Sequence, residues 1–304
     1  VVAVIPTVLF QLFDFKWLAI PWVPIALIGT AAAFIVGFKN TQTYNRLWEA
    51  RQIWGAIVNS SRSWGIMTKD FVKADKSVHT QLLYRHCAWL TALRFQLRKP
   101  QTWENAGKPY NVEYRNFYNI PEWESNLDEE LKKYLGNDEL KYILSKKNRA
   151  TQIIGLQSKQ LAELKLQGLL DAYEYVEMER RLADLYDQQG KCERIKNFPY
   201  PRQFASINLF FIWLFVLLLP FGMLHEFQKL GEQFVWLTIP FSVVVSWVFT
   251  SMEKVGEATE NPFEGGANDI PMAALSRTIE IDLRDMMDET NLPEPLVSKN
   301  SILM

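Results

Sequence analysis

The chain has 304 residues, with 33 Lys and Arg against 34 Asp and Glu and a formal net charge of −1, so bulk attraction to nucleic acid is excluded as its organising principle. Charged residues make up 22%, too many for a bare membrane bundle, while 11 Trp, 19 Phe and 11 Tyr are too many for a uniform water-soluble domain. Its two cysteines, Cys87 and Cys192, have no CxxC spacing and give neither a disulfide framework nor a zinc site.

Four hydrophobic segments are predicted in chain order. Val1–Phe13 is too short to cross a bilayer and reads as part of a truncated span, since the chain opens at Val1 with neither Met nor a charged leader. Trp17–Phe38 is long enough, because about 20 apolar helical residues cover a hydrocarbon core. It is rich in Gly29, Ala31, Ala32, Ala33 and Gly37, small residues that let membrane helices approach closely. Phe204–Leu224 and Phe234–Thr250 complete the set. Pro21, Pro24, Pro220 and Pro240 interrupt these runs and predict kinks.

Lys39, Arg46 and Arg51 follow the second segment, and Arg194, Lys196 and Arg202 precede the third. Positive charge marks the cytoplasmic side, so residues 39–203 are expected in the cytoplasm, with 1–38 and 204–250 in the membrane, and the parity of the spans makes 251–304 cytoplasmic again. The connections near Asp14–Lys16 and His225–Glu232 then lie outside. Within the cytoplasmic region amphipathic helices are predicted over about 42–72, 77–98, 121–145, 150–166 and 170–188. The first continues the second span, with no Gly or Pro stop at Phe38. Pro100–Tyr118 reads as a loop, Gly190 as a helix stop, and ENPFEGGANDIP (Glu260–Pro271) as a turn-rich break before an amphipathic helix over Met272–Met287.

No catalytic constellation is present. His79, His86 and His225 have no Cys or carboxylate at ligand spacing, and there is no phosphate-binding loop and no nucleophile elbow. No cofactor, metal or enzymatic activity is expected. Thr30, Phe34 and Phe38 share one face of the second span. They are either lipid-facing or core side chains of an ordinary membrane helix, or the lining of a narrow pore. A hydrophobic constriction controls ions by dewetting, and enclosing one with so few spans requires a closed ring of copies.

Three stretches carry a family resemblance: IVGFKNTQTYNRLWEARQIWG (Ile35–Gly55), GKCERIKNFPYP (Gly190–Pro201) and ENPFEGGANDIP. Together, in this order, they resemble the bestrophins, especially the bacterial branch. The resemblance implies an all-α multi-pass protein of the bacterial inner membrane, with about four transmembrane helices per subunit and a large cytoplasmic helical region. It implies a homopentamer around one pore, conducting small monovalent ions of the chloride type, with cations as the bacterial alternative. It places a hydrophobic neck at Thr30, Phe34 and Phe38 and a second, cytosolic constriction at Tyr173, with Leu169 or Leu170 as the other positions. The partners implied are the chain itself, the lipid bilayer and monovalent ions.

Two departures matter. Where animal members carry an acidic calcium clasp, this chain has Glu264, Gly265, Gly266, Ala267, Asn268 and Asp269, with only Asp269 acidic at the matching end. Calcium takes six or more oxygens, several from carboxylates, so no calcium site is expected. Thr30 stands where a bulky apolar residue is expected, predicting a partly polar outer neck. Two other functions remain open: a membrane-anchored interaction protein, and a secondary transporter. Transporters usually show internal repeats and intramembrane charge, and the spans show neither.

Overall fold

The computed structural model describes residues 1–304. It contains α1 (Val4–Leu12), α2 (Trp22–Phe71), α3 (Lys76–Arg98), α4 (Pro109–Tyr114), α5 (Pro121–Glu124), α6 (Leu127–Lys132), α7 (Asn137–Leu144), α8 (Arg149–Leu166), α9 (Ala172–Asn197), α10 (Arg202–Leu230), α11 (Thr238–Ala258) and α12 (Met272–Asp285). The only β pairing is an isolated bridge between Lys299 and Ile302. The chain divides into two compact units: Val1–Asn45 with Pro199–Glu260, and Arg46–Phe198 with Asn261–Met304.

The first unit contains α1, the start of α2, α10 and α11. Three helical stretches are long and apolar enough to cross a membrane: Lys16–Phe71, Arg202–Leu230 and Glu232–Ala258. They coincide with the second, third and fourth expected segments, and the first corresponds to α1, which is 9 residues long. Close packing depends on glycine. A methyl at Gly29 would lie 2.5 Å from Phe215 Cε2, and one at Gly222 would lie 2.8 Å from Ile25 Cδ1. Gly37 has nothing within 4 Å of such a methyl, so the small residues of α2 are not one packing set. Three of the expected kinks are absent as well. Pro21 precedes α2, while Pro24 and Pro240 lie in the first turns of α2 and α11, where the missing N–H costs nothing. Only Pro220 is inside a helix.

The second unit is built around α3, which packs against α8, α9, α12 and α6. Nearly every residue of α3 from Leu82 to Arg98 is buried, and Trp54, Trp64 and Trp89 are fully enclosed in the surrounding core. Trp89 donates its indole N–H to Gln189 at 2.9 Å, so this large side chain is buried without stranding its polar atom. At the start of α2's share of this unit, Arg46 donates to the carbonyls of Ile195 and Phe198, capping the free acceptors at the end of α9.

Three sequence expectations change here. The continuous helix over 121–145 is broken into α5, α6 and α7. Asn126 accepts from Asp128 N at 2.8 Å to start α6 anew, and Gly136 precedes α7 in an extended conformation. Gly190 is no stop, since α9 runs through it to Asn197. The stopping glycine is Gly168, with φ of 73°. There Leu169 N bonds Leu164 O at 3.0 Å and Gly168 N bonds Lys165 O at 3.1 Å, the paired closure that a left-handed residue permits. The loop Pro100–Tyr118 includes the short α4 and a 3₁₀ turn at Arg115–Phe117. The unbroken run of α2 through Phe38 for 50 residues agrees with the sequence.

Candidate functional site

Helix α2 has two opposed stripes. Ile25, Gly29, Ala32, Val36, Lys39 and Thr43 recur every three or four residues and are all buried. Roughly half a turn away, Val23, Leu27, Thr30, Phe34, Phe38 and Thr41 form an exposed stripe, with Phe34 76% exposed and Phe38 46%. The three predicted neck residues thus share one face that the protomer leaves open. Thr30 donates its hydroxyl to Ala26 O at 2.9 Å, so its proton is held by its own helix. Phe38 is steadied by Phe204, with ring centroids 6.2 Å apart.

The buried stripe ends in a polar lock that the sequence reading missed. Lys39 Nζ lies 2.5 Å from Glu253 Oε1, and its side chain is only 3% exposed. The other Glu253 oxygen accepts from Asn208, while Asn40 donates to Met252 O at 3.0 Å. One carboxylate thereby ties α2, α10 and α11 together. Lys39 reads in the sequence as a mark of the cytoplasmic side. The signal that could have placed it inside is its register: it continues the three-and-four spacing set by Ile25, Ala32 and Val36.

The three candidates for the cytosolic constriction have different environments. Tyr173, in the first turn of α9, is 86% exposed, Leu169 is half-buried against the core, and Leu170 is 3% exposed. A capping box fixes this turn: Asp171 accepts from Tyr173 N at 2.9 Å, and Glu174 accepts from Asp171 N at 2.9 Å.

The Asn261–Pro271 segment closes on itself around two buried carboxylates. Asp269 accepts from Gly265 N at 2.8 Å and Gly266 N at 3.0 Å, with Arg98 Nη1 at 3.5 Å. Glu264 accepts from Asn105 N at 2.7 Å and Asn261 Nδ2 at 3.3 Å. Gly265 requires its identity twice: its φ is 97°, and a methyl there would meet Ile120 Cδ1 at 2.7 Å. Burial pushes the Glu264 carboxyl up to about 8, helped by the nearby Asp269 charge. Burial raises Asp269 to about 6 against the pull of Arg98 and the two glycine N–H groups. These oxygens face N–H donors and a guanidinium, which is the wrong donor set for calcium. His86, also buried, lies 2.8 Å from Ser61 Oγ, and burial holds its imidazole down to about 3.

Residues 1–285 match the family described as bacterial and fungal bestrophin protein. The voltage-dependent anion channel-forming protein YneE of Escherichia coli is 29% identical over 279 residues, covering 90% of this chain and 79% of that protein. A voltage-dependent anion channel-forming protein of Ralstonia nicotianae is 26% identical over 285 residues, covering 92% and 82%. Among solved structures, a bacterial bestrophin homologue from Klebsiella pneumoniae superposes with a TM-score of 0.80 at 25% identity, covering 95% of this chain and 96% of that one.

Proposed function

The chain belongs to the bacterial and fungal bestrophin family, and on that premise we propose that it is an ion channel, not an enzyme, formed by a homopentamer around a single pore. The observation that carries the reading is the exposed Thr30, Phe34 and Phe38 stripe, opposite the face with which α2 binds its own protomer. One such helix per subunit, arranged about a five-fold axis, makes stacked rings of aromatic side chains. An ion passing them loses hydration with no polar group in exchange, so the rings set the barrier. The lining is uncharged and does not choose the sign of the ion. The named relatives are anion channel-forming proteins, which supports small monovalent anions of the chloride type as the cargo.

In this reading the protein spans the bacterial inner membrane several times, with residues 39–203 and 251–304 in the cytoplasm. Tyr173 forms the second constriction. Its exposure supports it over Leu170, whose side chain is already used inside the protomer. Channel opening does not depend on calcium, because Asp269 and Glu264 are engaged by Arg98, Asn261 and backbone N–H groups.

The test is reconstitution in liposomes with a reversal-potential measurement across a sodium chloride gradient, beside mass determination in detergent. The expected results are a chloride-directed reversal potential and a pentameric mass. Replacing Phe34 and Phe38 with Ala should widen and wet the neck and raise single-channel current. Unchanged current and gating in that double variant would remove the neck role, and absence of flux would leave a membrane-anchored interaction protein.

A further inference from the structure

A cleft of about 790 Å³ opens in the second unit between the end of α3, the start of α5 and α6, and the segment leading into α8. It falls in the size range of small-molecule sites, roughly 300–1,000 Å³. Its composition is two-sided. Phe95, Trp123, Leu127 and Pro100 supply apolar wall, while Lys99, Lys146, Lys147 and Arg149 supply four cations.

The positive charge is largely unspent. Lys99 and Lys147 are exposed and enter none of the ion pairs of the cleft. Lys146 rests over the Tyr142 ring at 4.5 Å, which positions its ammonium without neutralising it. Arg149 has a loose ion pair, 3.8 Å from Asp128, and a long bond to Leu144 O at 3.5 Å. The one buried carboxylate on the wall, Glu122, is engaged by Arg94 at 2.8 Å and Arg98 at 3.4 Å, so it does not offset the lysines. The two helix ends here have opposite signs and offset each other in part. The start of α8 contributes positive dipole, and the Arg98 carbonyl at the end of α3 accepts from the Trp123 indole N–H at 3.3 Å.

Trp123 is part of the aromatic wall of the cleft. Its N–H is anchored by Arg98 O, and the Arg115 guanidinium lies over its ring 5.0 Å from the centroid. The indole is therefore fixed and still 38% exposed. A rigid, exposed aromatic face beside unpaired cations matches one kind of ligand: a planar ring that stacks, joined to an anionic group that the lysines hold.

We propose that this cleft binds a planar aromatic anion, separately from the ions of the pore. Two sources share that chemistry, a nucleotide and an aromatic carboxylate. The experiment is isothermal titration of the full-length protein in lipid nanodiscs with ADP and with indole-3-acetate, using pyrophosphate and acetate as ringless controls. Saturable binding of at least one ring-bearing anion at one per protomer is expected, and the tighter of the two identifies the source. The ringless control should bind roughly tenfold more weakly or worse, and Lys99→Ala with Lys147→Ala should weaken the ring-bearing anion by about tenfold or more. Trp123→Leu should bring the ring-bearing anion toward its ringless control, while Trp123→Phe should retain part of the difference. Absence of saturable binding by both ring-bearing anions overturns the site. Equal binding of ringless controls, or indifference to the paired lysine substitution in a correctly assembled protein, overturns it equally.

Discussion

In the unit that contains the start of α2 with α10 and α11, large apolar side chains such as Leu27, Phe34, Trp213, Val243 and Trp247 lie exposed. In the unit centred on α3, Trp54, Trp64 and Trp89 are enclosed, and buried charges such as Arg98, Glu122, Asp269, Lys196 and Glu104 are matched in pairs and clusters. The second unit completes its own core. The first leaves apolar surface exposed, and its buried charges are Lys39, Glu253 and Glu257. The lesson is that a single substitution of equal size should act differently in the two units.

The largest effect is expected at the Lys39–Glu253 pair. Lys39→Met strands Glu253 as an uncompensated buried charge, and breaking such a pair costs about 3–5 kcal/mol. Thermal unfolding in detergent should show a large loss, and Glu253→Gln added to Lys39→Met should recover part of it. If the double variant is no better than the single one, the pair does not act as a unit.

The α3 unit should instead reveal itself through pH. The folded-state pKa of Glu264 is raised from 4.5 to about 8, and that of Asp269 from 3.8 to about 6. The native state then holds protons that the unfolded chain releases, so this contribution is complete in acid and is lost as pH rises through about 6 and then 8. His86 works in the opposite direction. Its folded pKa is lowered from 6.5 to about 3, so its contribution is present above 6.5 and lost as pH falls toward 3. The contribution of these three groups should therefore peak at about pH 4. Glu264→Gln should flatten the decline between pH 6 and 8, by an amount on the order of a few kcal/mol. An unchanged slope in melting temperature against pH would show that Glu264 does not titrate there.

A middle-sized effect separates the small residues of α2. Gly29→Ala should cost about 1–3 kcal/mol through overpacking against Phe215. Gly37→Ala meets no neighbour in the protomer and should improve helix propensity by about 1 kcal/mol. Loss of the proposed pentamer in Gly37→Ala with intact secondary structure would place Gly37 at a contact between copies.

The smallest stability change, and the sharpest functional one, belongs to Tyr173. An exposed side chain of this kind alters stability within about 0.5 kcal/mol when replaced. Tyr173→Ala should nonetheless change relative permeability among ions of different size. A variant with the parent's permeability sequence would remove Tyr173 from the pore.

The sequence by itself determined the helical class, the long apolar segments, the continuity of α2 past Phe38 and the common face of Thr30, Phe34 and Phe38. Each depends on local properties: periodicity of 3.6, length against bilayer thickness, and the absence of a breaker. It also carried the family, through three short stretches in order. Only the tertiary structure decided the rest. Gly190 passes through α9 while Gly168 ends α8, because a glycine permits a left-handed turn without requiring one. Lys39 became an interior residue because Glu253, 214 positions away in sequence, came within 2.5 Å of it. Leu170 became core and Tyr173 surface, although they are three residues apart, because one faces inward at the turn capped by Asp171. These outcomes depend on which distant residues meet, and that information is distributed over the whole chain rather than held in any one segment.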